Sequence, residues 1–573
     1  MLKPEKSAAS VFKLLVACLL LALCVHAVQA QRELGVRPTD SGGPLMPEQA
    51  AYDVKSYDLA LSVNPAEQSI AGALTVHAWI VQPTAWFVLD LDTPLKVEAV
   101  TEVGTPGKPD MPGLHRALQF ERRGGKIWIA FPMTKQPGDA VTVRVQYGGK
   151  PRVAPRPPWV GGFVWSKTPS GAPWVGVACQ NDGADLWWPC KDHPSDEPEK
   201  MSLHITVPEP LVCAANGKLQ SVVKNPDGTQ TFNWFISTPI NNYDVSINIA
   251  PYRTVEGQFK SITGESVPAV FYAIPEDYEK AQALFPHFLE YLTFLEERLG
   301  PYPFRADKIG VAETTYLGME HQTITAYGNQ FKTNAFGFDS LLFHEIGHEW
   351  WGNLVTASDW RDMWLHEGFQ SYMDALYAGQ MKGDAGYQQH LANIRRGIRN
   401  FQPVAPRESR TTTQIYFQAP DYVNSDGDIY SKGAWILHTL RYLIGDKAFF
   451  TALRRMAYPD PRMEKIKDGR QCRFATTDDF RRIAEEASGM KLDWFFEVYL
   501  RQPKLPRLVT ETSGDSLVLR WETPEGLPFP MPVEVQWGTK TERVEMPNST
   551  ATIPLQPGQM PLFDRDKRIL MAE

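Results

Sequence analysis

The sequence predicts a multidomain fold: an N-terminal antiparallel β domain, a mostly helical α+β domain and a small C-terminal β-sandwich. Three observations carry this. The chain has 573 residues, too many for one hydrophobic core. Apolar residues alternate with polar ones from about residue 50 to 250, then recur at helical spacing from about 277 to 501. Alternation returns after residue 506. The implied boundaries are a leader over 1–30, the β domain over 31–253, the helical domain over 254–502 and the sandwich over 503–573.

Lys3, Lys6 and Lys13 precede an apolar run from Leu14 to Val25, and Val28-Gln29-Ala30 ends the segment with small residues. This is the pattern of a cleaved export signal, and the run is short for a membrane span. The expected location is therefore periplasmic or secreted. Leu15-Val16-Ala17-Cys18 has the look of a lipoprotein box, but the apolar core lies on the wrong side of Cys18, which ranks anchoring lower. No later stretch is long and apolar enough to span a bilayer, so no stable membrane span is expected after cleavage. The formal net charge of -8, without a long Lys/Arg run, argues against a nucleic-acid partner. Cys179, Cys190, Cys213 and Cys472 remain after cleavage, and both disulfides and free thiols are open to them. Oligomeric state is not legible.

Within the β domain, Tyr57, Leu59, Leu61 and Val63 alternate with polar or small residues. Val141, Val143 and Val145, then Met201, Leu203, Ile205 and Val207, and finally Val245, Ile247 and Ile249 repeat the pattern of half-buried strands. Residues 151–159, PRVAPRPPW, form an extended Pro-rich loop. A helix begins near residue 277 and stops at Gly300. A short strand region over about 308–328 interrupts the helices, which resume and include DFRRIAEEASG and WFFEVYLRQ. Leu517, Leu519 and Trp521, then Val533, Val535 and Trp537, mark strands of the sandwich.

The stretch FHEIGHEWWGN, residues 343–353, carries the chemistry. Ser340 is a plausible N-cap, and residues four apart share one face of a helix. His344 and His348 can therefore grip one zinc ion per chain. Glu345 sits about 100° around the helix, within reach of a water on that ion without being a ligand. Zinc lowers the pKa of bound water towards about 7, and a carboxylate can take the proton. Gly347 costs the helix roughly 1 kcal/mol relative to Ala, which points to close packing there. A catalytic zinc needs a third protein ligand and an open fourth position. Glu367 supplies it: this acid sits at the edge of the apolar face made by Leu365, Phe369, Met373 and Leu376.

H-E-x-x-H, eighteen residues, then Glu resembles the gluzincin peptidases, and more narrowly the aminopeptidase N and leukotriene hydrolase family. Three further stretches share the resemblance: LGMEHQT over 317–323, IYSKGAWILHTLR over 429–441, and ACQNDGADLWWPCKDHPSDEP over 178–198. It runs from about residue 50 to 573 and implies a thermolysin-like helical domain acting on peptides with a free N-terminus. By this resemblance Glu320 and Gln180 bind the substrate's α-ammonium group. Leu317, Gly318 and Met319 line the substrate, with backbone that pairs with the peptide like an added strand. Glu345 acts as general base and then acid, and Tyr430 stabilises the oxyanion. Several positions depart from the family pattern. Leu317 replaces a glycine, His321 replaces an asparagine, and His366-Glu367-Gly368 stands where Asn-Glu-Gly is common. No counterpart of the large C-terminal helical domain of many relatives is expected.

The leading reading is an exported zinc aminopeptidase. An epoxide hydrolase at the same zinc is the alternative, although its characteristic Asp falls at Tyr422, beside Asp421. A thermolysin-type endopeptidase is disfavoured by Glu320 and Gln180, which would close the unprimed side. A non-catalytic family member is disfavoured because His344, Glu345, His348, Glu367 and Tyr430 are all present.

Overall fold

The structure, a computed structural model, describes residues 40–104, 115–418, 424–555 and 560–573. The leader with its Cys18, and the pair Asp421–Tyr422, lie outside the described residues.

Among the described residues the first part of the chain forms an eight-stranded sheet, with a three-stranded and a four-stranded sheet packed with it. Tyr52–Asn64 and Ser69–Ile80 pair antiparallel at its centre, with Leu59 opposite Leu74. Tyr57, Leu59, Leu61 and Val63 are buried, as are Val141, Val143, Val145 and the Met201–Val207 set. Lys200–Pro208 runs parallel to Tyr52–Asn64, the exception to otherwise antiparallel pairing in this sheet. The last strand differs from the half-buried expectation. Ile247–Ala250 is buried on both faces, and Val245 lies outside it. Its one polar residue, Asn248, donates Nδ2 to Ser246 Oγ at 3.3 Å, and Ser246, just before the strand, donates its N–H to Asn216 Oδ1 at 2.7 Å.

The middle of the chain builds a five-stranded sheet in the order Arg253–Lys260, Ser266–Ala273, Ile309–Glu313, Thr325–Tyr327, Gly318–Met319. Gly318–Met319 is thus an edge strand. Helices surround the sheet: α1 (Tyr278–Leu299), α2 (Ser340–Gly347), α3 (Trp364–Arg395), α4 (Thr412–Tyr416), α5 (Asp428–Ile444), α6 (Asp446–Ala457), α7 (Thr477–Ser488) and α8 (Asp493–Leu500). Their ends follow capping chemistry. Thr476 and Asp479 form a capping box at the start of α7, and Gly489 closes it in the left-handed region at φ 72°. The cap of α2 is Asp339 rather than Ser340: its carboxylate accepts from Leu342 N at 3.1 Å, and Ser340 is the first helical residue. An extended Asp held by Asn329 and Tyr327 outcompetes a serine one residue on.

Two close approaches set the helix arrangement. A β-carbon on Gly347 would overlap the Gln370 carboxamide, so the glycine admits α3 against α2. A β-carbon on Gly368 would come within 2.9 Å of the Gly433 Cα and the Ile429 carbonyl. Backbones of α3 and α5 therefore touch, next to Glu367 on one and Tyr430 on the other.

The C-terminal part packs two three-stranded sheets against each other. Leu517, Leu519, Trp521, Val533, Val535 and Trp537 point between them. Cys179, Cys190, Cys213 and Cys472 are free thiols. Among the described residues no helix is long and apolar enough to cross a membrane.

Gly433→Val is expected to force α5 away from α3 and destabilise the protein by about 1–3 kcal/mol, the usual cost of overpacking. Urea unfolding measures this, and an unchanged midpoint would mean that the helices slide apart freely.

Candidate active site

Two turns of helix and one neighbouring helix bring three acceptors together. His344 Nε2 and His348 Nε2 are 3.2 Å apart. Glu367 Oε2 lies 3.5 Å from the first and 3.4 Å from the second. Each imidazole is oriented from behind. Asp374 Oδ2 is 2.8 Å from His344 Nδ1, and the Trp351 carbonyl is 2.7 Å from His348 Nδ1. A carboxylate and a carbonyl can only accept, so both Nδ1 atoms carry the proton and both Nε2 atoms present lone pairs. Tyr416 O–H donates to Glu367 Oε1 at 2.8 Å, while Glu367 Oε2 has no donor. Three lone-pair atoms thus converge in a buried space.

That arrangement calls for a cation. Burial pulls the His348 imidazole down, but the adjacent Glu367 carboxylate outweighs this and lifts it to about 9. Protons would take up the missing positive charge. A tetrahedral metal with bonds of about 2.0–2.1 Å has edges of about 3.3–3.4 Å, which the three separations match. His344, His348 and Glu367 are, among the described residues, the group of metal-ligating side chains close enough to share one ion. They fit zinc.

The cavity in front of the triangle holds about 450 Å³. All ten residues singled out from the sequence line it: Gln180, Leu317, Gly318, Met319, Glu320, His344, Glu345, His348, Glu367 and Tyr430. Glu345 is buried beside Gly318, where a β-carbon would meet its Oε1 at 2.6 Å. Burial raises its carboxyl to about 8, with the His344 charge opposing. Gln180 Nε2 donates to Glu320 Oε1, and Tyr243 O–H donates to the same oxygen at 3.1 Å. Asn353 Nδ2 fixes the Glu320 carbonyl at 3.0 Å. Tyr430 stacks near His344, with ring centroids 6.3 Å apart. Burial and the Glu367 carboxylate keep its phenol well above the usual value, so it remains a proton donor.

Four residues escaped the sequence reading. Asp374 and Tyr416 hold the ligands but lie seven positions and an entire loop beyond them in the chain. Tyr243 comes from the β domain with no motif around it. Trp159, which lines the cavity, closes the Pro-rich loop, and an exposed Trp after such a loop was the available signal. The departures also have places. His366 Nε2 accepts from Ala357 N at 2.9 Å, and burial pushes its imidazole down to about 3. Burial likewise drives His321 down to about 3. Both are neutral core side chains.

Comparison with known proteins identifies the family and the fold. Residues 285–499 match the peptidase family M1 domain and residues 54–243 the peptidase M1 N-terminal domain. Aminopeptidase N of Streptomyces lividans is 26% identical over 314 residues, covering 51% of this chain and 35% of that protein. Human glutamyl aminopeptidase is 23% identical over 483 residues, 79% of this chain and 47% of that protein. The chain thus spans between a third and a half of the length of these two curated relatives. The crystal structure of the M1 zinc metallopeptidase from Deinococcus radiodurans superposes with a TM-score of 0.63 at 22% identity, covering 82% of this chain and 98% of that one. It shares the fold.

Asp374→Asn removes the carboxylate behind His344 and is expected to weaken zinc binding about 10–100-fold, the usual effect of losing such a partner. Competition against a chromophoric chelator reads this. Unaltered affinity would show that Asp374 does not orient the ligand.

Proposed function

The chain belongs to peptidase family M1, and from that footing we propose that it is an exported zinc aminopeptidase, removing the first residue of peptides that carry a free N-terminus. The observation that supports this best is the ammonium site next to the metal triangle. Glu320, Gln180 and Tyr243 form a buried polar cluster with one carboxylate and no basic side chain. A peptide ammonium there gains charge-assisted hydrogen bonds, and only its first amide can then reach the metal triangle.

Zinc held by His344, His348 and Glu367 would supply Lewis-acid polarisation and a more acidic water. The remaining steps belong to the chain. The free edge of Gly318–Met319 lies along the cavity and offers backbone groups to the peptide, which aligns the scissile amide without reading side chains. Glu345, pressed against Gly318, takes the proton of the attacking water and returns it to the leaving amine. Tyr430 donates its O–H to the oxygen on which charge develops, a preorganised bond often worth about 3–4 kcal/mol. A non-catalytic reading is disfavoured by the complete acceptor triangle and its supports.

One peptide, assayed with its N-terminus free and then acetylated, tests the reading. Cleavage confined to the free form is expected, and equal cleavage of both would make the enzyme an endopeptidase. Glu345→Gln should retain zinc, by metal analysis, and lose nearly all turnover; retained turnover would remove Glu345 from the role of base. Glu320→Ala should raise KM for unblocked peptides with little change in unfolding midpoint, and an unaltered KM would place the ammonium elsewhere.

A further inference from the structure

One buried acid beside the ammonium cluster has no task in the steps above. Asp244 ends the turn Asn242–Asp244, directly after Tyr243, which donates to Glu320. It is fully buried. Its N–H donates to the Asn241 carbonyl at 3.1 Å. Its carbonyl accepts from Asn216 Nδ2 at 2.9 Å, and the same Nδ2 donates to the Gln322 carbonyl at 2.7 Å. Asn216 Oδ1 in turn accepts from Ser246 N. One side chain thus rivets the turn that carries Asp244 to the segment that carries Glu320.

The Asp244 carboxylate is distinguished by what it lacks. Neither oxygen has a hydrogen-bond partner among the described residues. The charges that face it are acidic: Glu320 most strongly, then Glu197 and Glu349. Those last two are served by other donors. Glu197 Oε1 accepts from Thr356 Oγ1 at 2.7 Å, and Glu349 accepts from Thr323 N at 2.8 Å and from Asn353 Nδ2 at 3.3 Å. Burying a carboxylate without a partner is costly. Burial, then the Glu320 charge, pushes the Asp244 carboxyl well above the usual carboxylate range. A positive charge resting on Glu320 offsets both effects. Gln180, the other β-domain side chain on Glu320 besides Tyr243, is neutral and adds no negative charge of its own.

We propose that Asp244 is a positioning residue for the substrate's amine: Glu320 touches the ammonium, and Asp244 supplies a second negative charge that holds it through space. Charges in a buried, weakly screened site act well beyond contact, so Asp244 needs no opening onto the cavity. The amine is then held by the field of two carboxylates with one in contact. This deepens the aminopeptidase reading and rests on it.

The experiment measures dissociation constants on the zinc-loaded full chain for two ligands: the phosphonic acid analogue of leucine, and the same molecule without its amino group. Both present a phosphonate to the metal, and only the first carries an ammonium. The wild-type protein should bind the first more tightly. Asp244→Asn should lower that preference at least about fivefold, while the affinity for the amine-free ligand changes less than about twofold. An unmoved preference overturns the proposal. Equal weakening of both ligands also overturns it, because a purely structural role would act on both. Since the preference is taken within one preparation, partial unfolding of the variant cancels. Asp244→Leu, which removes the polar group altogether, should reproduce the shift, and failure of both variants to fold would make Asp244 structural and overturn its role. If the wild-type protein does not prefer the amine, the ammonium site and the aminopeptidase reading have failed; a wild-type preference that both variants keep removes only Asp244.

Discussion

Three lone-pair atoms forced within 3.5 Å of one another are the constraint on which the centre of this protein depends. Without a positive charge between them, His344, His348 and Glu367 repel, and everything packed behind them exists to hold the unfavourable arrangement. Asp374 and the Trp351 carbonyl fix the two protons on the far side of the rings. Tyr416 occupies the other oxygen of Glu367. The geometry is expensive for the bare chain and matched to a divalent ion, whose several bonds satisfy all three lone pairs at once.

The backbone had to come unusually close to allow it. At Gly347 the two ligand-bearing helices meet with no room for a methyl group, and at Gly368 and Gly433 the next pair does the same. The spacing between the ligand helix and the tyrosine helix is thus set by main chain, not by side chains that can change rotamer. Gly318 repeats this on the substrate side, where the Glu345 carboxylate lies against it. Rigid contacts of this kind fit the demand for sub-ångström placement of reacting groups.

Much of this was readable in the chain, for physical reasons that differ by residue. His344 and His348 announce themselves because helical geometry converts a spacing of four into one face. Glu367 shows because an acid beside an apolar stripe needs a partner. The alternating strands show because each buries one face, and the pattern misled at Ile247–Ala250, where both faces are covered and Asn248 is buried with a bond to Ser246. Groups that act through the main chain, such as the Trp351 carbonyl, leave no trace in side-chain identity. Tyr243 and Tyr416 reach the site by long-range folding, and nothing in their local sequence marks them. The cap at Asp339 rather than Ser340 turned on which of two capable neighbours adopts extended backbone.

The ammonium cluster has a further consequence through its origin. Gln180 and Tyr243 come from the β domain, whereas Glu320 follows the edge strand of the central five-stranded sheet. In the proposed reading a substrate amine binds only where both bodies meet, so thermodynamic linkage would make the reverse true: each amine bound would stabilise the meeting of the two bodies by the same free energy. The proposed preference for chain ends would therefore also be a cohesion between the two halves of the chain. On that reading, whatever loosens their contact would relax discrimination between ends and interiors before it touches the metal centre.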